Sequence, residues 1–185
     1  MEIDGKATLQ GVIIVAKESP LRVLKDLTGK HFAFVDPHST TGHLVPRFML
    51  WEAGVRVDKM TGYSFLRNHD NVALGVLVGD YDAGAVQKEV FHKYERRGLK
   101  SLATTPPISG HLFVASSELR PKTVQALRKA LYHLKHDEQG RTIMSAIKNN
   151  MTGMVPASDQ DYDNLRTMLQ VLKKLGVQTC IRPPR

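Results

Sequence analysis

A segment of hydroxyl-bearing and small residues, Ser39-Thr40-Thr41-Gly42, suits the binding of a small anion. It lies between an apolar run and apolar residues at helical spacing. The first N–H groups of a helix lack internal partners and carry the positive end of the helix dipole, so they stabilise an anion there. The hydroxyls add donors, and Gly42 permits close approach. Ser and Thr also cap ordinary helices, so the segment alone leaves a simple cap and an anion site equally open.

A second pair of polar residues, His69-Asp70, stands directly ahead of another predicted helix. The imidazole can donate a hydrogen bond to an anion, and Asp70 is expected to cap the helix. Alone, such a pair is more often a surface feature. In open α/β sheets, however, ligands bind beyond the carboxyl ends of the strands. The two helix starts therefore supply the candidate residues for a small-anion site: Ser39, Thr40, Thr41, His69 and Asp70.

Patterns typical of enzymes and metal sites are weak. Ser39 and His69 could act as nucleophile and base, but no G-x-S-x-G elbow is present, and two ligand donors explain the pair more economically. His133 and His136 lie one helical turn apart, yet no third ligand stands at a motif spacing, so we predict surface histidines and no metal. Walker A and G-x-G-x-x-G motifs are absent. We predict a protein that is not an enzyme and binds no cofactor.

Composition and charge narrow the class of protein. The 185 residues, 42% of them hydrophobic, are enough for one large domain or two small lobes. The net charge of +8 favours anionic partners, but Lys and Arg are dispersed and no basic block is interleaved with aromatics, so we predict no nucleic-acid partner. Cys180 stands alone and is predicted to be inert. The apolar run 12–16 is too short to span a bilayer, and no signal peptide is expected.

Alternating strand and helix patterns predict an α/β unit with a mostly parallel sheet. From Pro121, a typical first helical residue, the chain becomes mostly helical, and it ends in a loose tail. This first helix carries an apolar stripe formed by Val124, Leu127, Leu131 and Leu134. The predicted strands are 11–17, 32–35, 63–65, 83–86 and 111–115, and the predicted helices are 21–27, 44–53, 71–78, one starting at Pro121, 138–148 and 162–175.

Several motifs in this order resemble the phosphate, phosphite and phosphonate substrate-binding proteins of ABC transporters, which have the type II periplasmic binding protein fold. The resemblance covers most of the chain. Its marks are Leu24-Lys25-Asp26-Leu27-Thr28-Gly29-Lys30, Phe32-Ala33-Phe34-Val35-Asp36-Pro37, Ser39-Thr40-Thr41-Gly42 with Leu44-Val45-Pro46, His69-Asp70, Asp82-Ala83-Gly84-Ala85-Val86, and Val155-Pro156-Ala157 with Asp159, Asp161 and Tyr162.

The resemblance implies a two-lobed clamp that closes on its ligand. The hydroxyls of Ser39 and Thr40 and the imidazole of His69 would bind phosphoryl oxygens. Thr41 occupies a position that is commonly Ser in the family, which is a mild change.

Three further residues depart from the family pattern around the non-phosphoryl end of the ligand. His43 stands where an aromatic residue is common, and Gln87 stands where an acid is often found. His111 lies near the place where phosphonate binders use an acidic residue for an amino group. These three are secondary candidates for ligand contact, and an aminophosphonate is the less favoured ligand.

The resemblance also implies how the chain divides. Residues 1–17 would form an inter-lobe strand region, 18–105 the second lobe with the anion-binding helix start, 106–177 the returning, mostly helical part of the first lobe, and 178–185 a tail. Family members carry a signal peptide and about half of the first lobe before the strand near Gly11, and we expect that part to be lacking here. An exposed apolar sheet edge would then favour a homodimer.

The leading hypothesis is non-catalytic binding of phosphate, phosphite or a phosphonate as the substrate-binding component of an ABC transporter. The resemblance implies a periplasmic or cell-surface location and a membrane permease as partner. The alternative is the ligand-sensing domain of a regulator or sensor kinase, since the same fold serves that purpose. An enzyme acting on a phosphorylated small molecule is the third hypothesis. The sequence does not choose the exact ligand or the oligomeric state.

Overall fold

The computed structural model describes residues 1–179, which form nine strands and six α-helices. The strands are β1 Glu2–Ile3, β2 Thr8–Leu9, β3 Gly11–Ala16, β4 His31–Phe34, β5 Gly62–Phe65, β6 Ala83–Gln87, β7 Leu99–Thr104, β8 Ile108–Ser109 and β9 Met151–Gly153. The helices are α1 Val45–Glu52, α2 His69–Leu77, α3 Lys88–Glu95, α4 Pro121–His133, α5 Glu138–Ile147 and α6 Asp163–Lys174. A single π-helical turn, Thr40–Leu44, leads directly into α1.

The chain divides into two compact units. Unit 1 contains Met1–Leu9 and Ile108–Tyr162, and unit 2 contains Gln10–Pro107 and the described residues from Asp163 onward. These limits differ from the predicted ones at both ends, because residues 1–17 were expected to form one inter-lobe region and α6 was expected with the returning part of the first lobe. The predicted tail beyond residue 179, with Cys180, lies outside the described residues.

Helix α6 belongs to unit 2 because its apolar face is buried there. Leu172 is fully buried with Leu44 and Val177, and Phe48 and Leu169 pack against this cluster. The sequence showed that the helix was amphipathic, but an apolar stripe does not identify the surface that it covers.

Unit 2 is built on a five-stranded sheet with the order β5–β4–β6–β3–β7. Strand β4 pairs in parallel with β5 and β6, whereas β3 pairs antiparallel with β6 and β7. Four strands therefore run in one direction and β3 runs against them, so the sheet is mixed. The sequence did not reveal this reversal, because a continuously apolar run indicates burial on both faces and carries no information on direction.

Both faces of this sheet are covered, as the alternation of side chains along β3 shows. Ile13 and Val15 lie in one cluster with Phe32, Phe34 and the α1 residue Leu50. On the opposite face, Val12, Ile14 and Ala33 lie with side chains of α2 and α3, namely Val72, Ala73, Val76, Phe91 and Tyr94. The central strands are thereby held rigidly, and their ends can position a site.

The strand predictions at 11–17, 32–35, 63–65 and 83–86 are confirmed, and so are the helices at 44–53, 71–78, 138–148, 162–175 and from Pro121, each to within a few residues. Helix α3 and strand β7 were not predicted. The predicted helix 21–27 is only a 3₁₀ turn, Leu24–Leu27. There the Asp26 carboxylate accepts from the N–H groups of Arg22 and Val23, which fixes those residues ahead of the turn and outside any longer helix.

Unit 1 contains α4, α5 and two small antiparallel sheets, β1–β9 and β2–β8. Its buried cluster is small and rich in methionine, with Ile3, Met144, Met151 and Met154. The apolar stripe that begins in α4 is covered only in part: Leu131 and Leu134 pack against this cluster, whereas Leu127 is 50% exposed.

The predicted strand 111–115 is also wrong. The segment pairs with no strand of the described chain, and its apolar side chains Leu112, Phe113 and Val114 are exposed. Apolar composition favours a strand only where a neighbouring strand supplies hydrogen-bond partners. Among residues 1–179, no helix combines the length and apolar character needed to cross a bilayer.

Candidate functional site

The π-helical turn Thr40–Leu44 presents unused hydrogen-bond donors. The Ser39 Oγ accepts from the Gly42 N–H at 3.1 Å, and the Ser39 carbonyl accepts from the N–H groups of His43 and Leu44. Because the hydroxyl oxygen accepts the cap bond, its hydrogen is still available to a ligand. The N–H groups of Thr40 and Thr41 donate to no other described residue. The predicted helix cap and a donor set for an anion therefore occur together.

The sheet fixes the position of this turn. The Val35 N–H donates to the Gly42 carbonyl at 3.1 Å. A Cβ added at Gly42 would lie 2.5 Å from Val35 Cγ2 and 2.9 Å from Ser39 Oγ, so only glycine fits between strand and cap. Before the turn, the Asp36 carboxylate accepts from the His38 N–H at 2.8 Å, and this bond fixes the backbone that leads into Ser39.

His69 is the first residue of α2, and its ring orientation is set by a backbone group. Its Nδ1 accepts from the Gln87 N–H at 3.0 Å. Burial lowers the pKa of His69, an effect opposed by the charges of Asp70 and Glu89. A neutral imidazole that accepts at Nδ1 carries its hydrogen on Nε2. His69 is therefore a neutral donor in a fixed tautomer.

The helix start and His69 lie at the same end of β6. A Cβ added at Gly11 would lie 2.4 Å from the Thr41 carbonyl oxygen, so the turn rests directly on the start of β3. Gly11 is the register partner of Gln87, whose N–H holds His69. One pair of strand residues thus separates Thr41 from His69, and the structure brings together the predicted residues Ser39, Thr40, Thr41 and His69. The sequence analysis did not identify Gly11, although a glycine at the start of a buried strand is a signal of close backbone approach.

Asp70 was predicted both to contact the ligand and to cap α2. The cap prediction is wrong, because Asn68 caps the helix by accepting from the Asn71 N–H at 2.8 Å. The Asp70 carboxylate accepts instead from the Lys93 ammonium and from the Tyr94 hydroxyl, and these hydrogen bonds lower the pKa of Asp70. An ionised carboxylate can only accept hydrogen bonds, so this residue fastens α2 to α3 and has no donor for an oxyanion.

His43, a secondary candidate, is only 2% exposed. Its Nδ1 lies 2.8 Å from the Pro37 carbonyl oxygen, and its Nε2 lies 3.3 Å from Arg47 Nη1. Guanidinium only donates, so Nε2 accepts and Nδ1 carries the hydrogen that is donated to Pro37. Burial lowers the pKa of His43 to about 4, against the opposing effect of the Pro37 hydrogen bond. Both ring nitrogens are therefore engaged within the chain.

The remaining sequence candidates lie in different places. Gln87 ends β6 and precedes α3, so its backbone rather than its side chain holds His69. His111 is an exposed residue of unit 1, and its carbonyl accepts from the N-terminal ammonium of Met1 at 2.8 Å. The rings of His133 and His136 lie 5.7 Å apart, but residues 1–179 contain no group of three or more metal-binding side chains.

Comparisons with known proteins identify the family of this chain. Residues 1–162 match the family described as ABC transporter, phosphonate, periplasmic substrate-binding protein. The chain is 32% identical to the phosphate-import protein PhnD of Mycolicibacterium smegmatis over 84% of its length and 55% of that protein. It is 26% identical to the probable ABC transporter phosphite binding protein PhnD1 of Prochlorococcus marinus over 85% of its length and 57% of that protein. The chain thus spans about half the length of the curated relatives that it matches.

Solved structures show the same fold. The Prochlorococcus marinus PhnD1 structure in complex with methylphosphonate superposes with a TM-score of 0.78 and 23% identity, over 94% of this chain and 70% of that one. The neighbours are type II periplasmic binding proteins, so the fold predicted from the sequence is confirmed.

Proposed function

The chain belongs to the periplasmic substrate-binding proteins of phosphonate ABC transporters, and on that premise we propose that it binds a small tetrahedral oxyanion at the Thr40–Leu44 turn. The ligand would be phosphate, phosphite or a phosphonate. The contacts in unit 2 would come from the hydroxyls and N–H groups of the turn and from His69 Nε2–H. The phosphoryl oxygens would accept from all of these groups.

The observation that carries this proposal is the convergence of donors at the end of β6. The Thr41 carbonyl rests on Gly11, and the register partner of Gly11, Gln87, holds His69 in the tautomer that donates from Nε2. The donors of the turn and of His69 therefore come from separate helix starts, where the dipole favours negative charge. Backbone and hydroxyl donors cost little to reorganise when they are already held by the fold.

Calorimetry with phosphate, phosphite, methylphosphonate and aminoethylphosphonate tests this site. The variants are Thr40→Val, which keeps the shape of the side chain and removes the hydroxyl, and His69→Ala, which removes the imidazole. We expect at least one of the first three anions to bind the parent chain, and each variant to lose about tenfold in affinity or more, since a hydrogen bond to a charged group contributes about 1.5–3 kcal/mol. Equal affinity in parent and both variants would contradict the site.

Transport is the physiological role that we propose. The matched family description and the names of the relatives support a periplasmic protein that delivers its anion to the membrane permease of an ABC transporter. Binding without turnover is part of this role. Incubation with a phosphomonoester should release no phosphate above background, and turnover that disappears in the His69→Ala variant would show an enzyme instead.

We further propose that two copies associate through unit 1. The support is the exposure of large apolar side chains there, including Phe113, Val114 at 83% and Leu127. Exposed apolar surface favours association because burial removes it from water. Light scattering should give the mass of a dimer for the parent and of a monomer for Val114→Lys, and a monomeric parent would contradict the proposal.

A further inference from the structure

We propose that His43 is a positioning residue of the anion site, a role that rests on the function proposed above. Its imidazole joins the segment before the helix start to the first turn of α1, and so holds the Ser39 hydroxyl and the Thr40 and Thr41 N–H groups in one arrangement. His43 itself does not contact the ligand, because both of its ring nitrogens are used within the chain.

The two polar contacts of His43 reach opposite sides of the turn. The Pro37 carbonyl, which accepts from Nδ1–H at 2.8 Å, lies two residues before Ser39. Arg47, which donates to Nε2 at 3.3 Å, lies on α1. The Ser39 carbonyl also accepts from the N–H of His43. The imidazole therefore closes a bridge across the segment that carries the proposed ligand donors.

Aromatic packing fixes the plane of the imidazole. Phe34 of β4 lies edge-on with ring centroids 4.8 Å apart, and Phe65 of β5 lies edge-on at 4.9 Å. Arg47 itself is placed over the Tyr63 ring at 5.8 Å. A ring that is packed on two sides can rotate little. Its hydrogen bond therefore holds the Pro37 carbonyl at a fixed position relative to β4 and β5.

The charged and titratable groups around His43 come from three elements. Arg47 lies on α1, Asp36 and His38 lie in the preceding segment, and Tyr63 lies on β5 beneath Arg47. Among these, Arg47 and His38 disfavour a proton on the imidazole, whereas Asp36 favours it. Burial, with the positive charge of Arg47, therefore keeps the ring in the neutral form that the bridge requires.

Three substitutions at position 43 separate positioning from packing. His43→Phe keeps a ring between Phe34 and Phe65 but removes both polar contacts. His43→Asn offers a side-chain N–H near the place of Nδ1 and can restore the bond to Pro37. His43→Gln places its amide further out, toward Arg47. Methylphosphonate and inorganic phosphate are titrated into the parent and into each variant by calorimetry. Thermal unfolding is measured alongside to verify that each protein is folded.

We expect His43→Phe and His43→Gln to bind about tenfold more weakly than the parent, equivalent to about 1.4 kcal/mol, and His43→Asn to recover most of this loss. Parent-like affinity in His43→Phe, or equal losses in the Asn and Gln variants, would overturn the inference while leaving the proposed function intact. A parent that binds neither anion would overturn both. If His43→Phe does not fold, the comparison of Asn with Gln decides the question.

Discussion

Protonation of His43 should make the stability of the fold depend on pH. The pKa of this imidazole is lowered from 6.5 to about 4 by burial, so the unfolded chain takes up a proton at a pH where the folded chain does not. Between these values the unfolded state binds more protons, and the free energy of unfolding falls as the pH falls. Linkage with these two pKa values gives a loss of about 1.8 kcal/mol from His43 between pH 7 and pH 5.

Urea denaturation at pH 7, 6 and 5 measures this loss in the parent and in His43→Asn, which cannot titrate. As the pH falls from 7 to 5, the free energy of unfolding should decrease more in the parent than in His43→Asn, by about 1.8 kcal/mol. His38→Asn is the matched control, because His38 is an exposed histidine of the same segment, and its profile should run parallel to that of the parent. Parallel curves for the parent and His43→Asn would show that the imidazole is not held neutral in the fold.

Three further predictions concern the site. Gly11→Ala should destabilise the chain by about 1–3 kcal/mol and weaken anion binding, because its Cβ would lie 2.4 Å from the Thr41 carbonyl oxygen. Gly62→Ala is the control, since its Cβ would meet no atom closer than 3.4 Å, and equal effects of the two in urea denaturation and calorimetry would refute the assignment. His69→Gln, whose amide can replace Nε2–H, should bind methylphosphonate more tightly than His69→Ala in calorimetry, and equal binding would argue against a donor role. Asp70→Asn should change the unfolding free energy by less than about 1 kcal/mol and leave anion affinity unchanged, because the ion pair between Asp70 and Lys93 of α3 is exposed. A large loss of affinity in this variant would indicate that Asp70 contacts the ligand.

The sequence predicted the helix start and His69 because local chemistry determines both. Hydroxyl residues after a buried strand, or a histidine before a helical run, can be recognised within a few positions of the chain. Such short stretches of sequence do not show that the helix start and His69 lie together at the end of β6. This proximity depends on the pairing of Gly11 with Gln87, a contact between residues far apart in the chain.

Asp70 and His43 show why residue type alone assigned roles incorrectly or incompletely. A carboxylate before a helix suggests a cap, yet Asn68 takes that position and Asp70 binds α3 residues that the sequence did not mark as a helix. For His43, burial between two aromatic rings decides the role, and burial depends on the packing of β4, β5 and α1. The α4 stripe is a similar case, because Leu131 packs against the unit 1 cluster while Leu127 is exposed, and amphipathic spacing does not show how much of a stripe is covered.

A titration of the ¹⁵N-labelled chain with methylphosphonate, followed by NMR, tests the central claim most directly. The N–H groups of Thr40 and Thr41 have no other described partner, and the Nε2–H of His69 is set as a donor. We predict that the largest chemical-shift changes occur at these two amides. We also predict that the His69 Nε2–H resonance moves downfield and that its hydrogen is protected from exchange. Saturable changes confined to other parts of the chain, with these three signals unmoved, would contradict the assignment of the anion site.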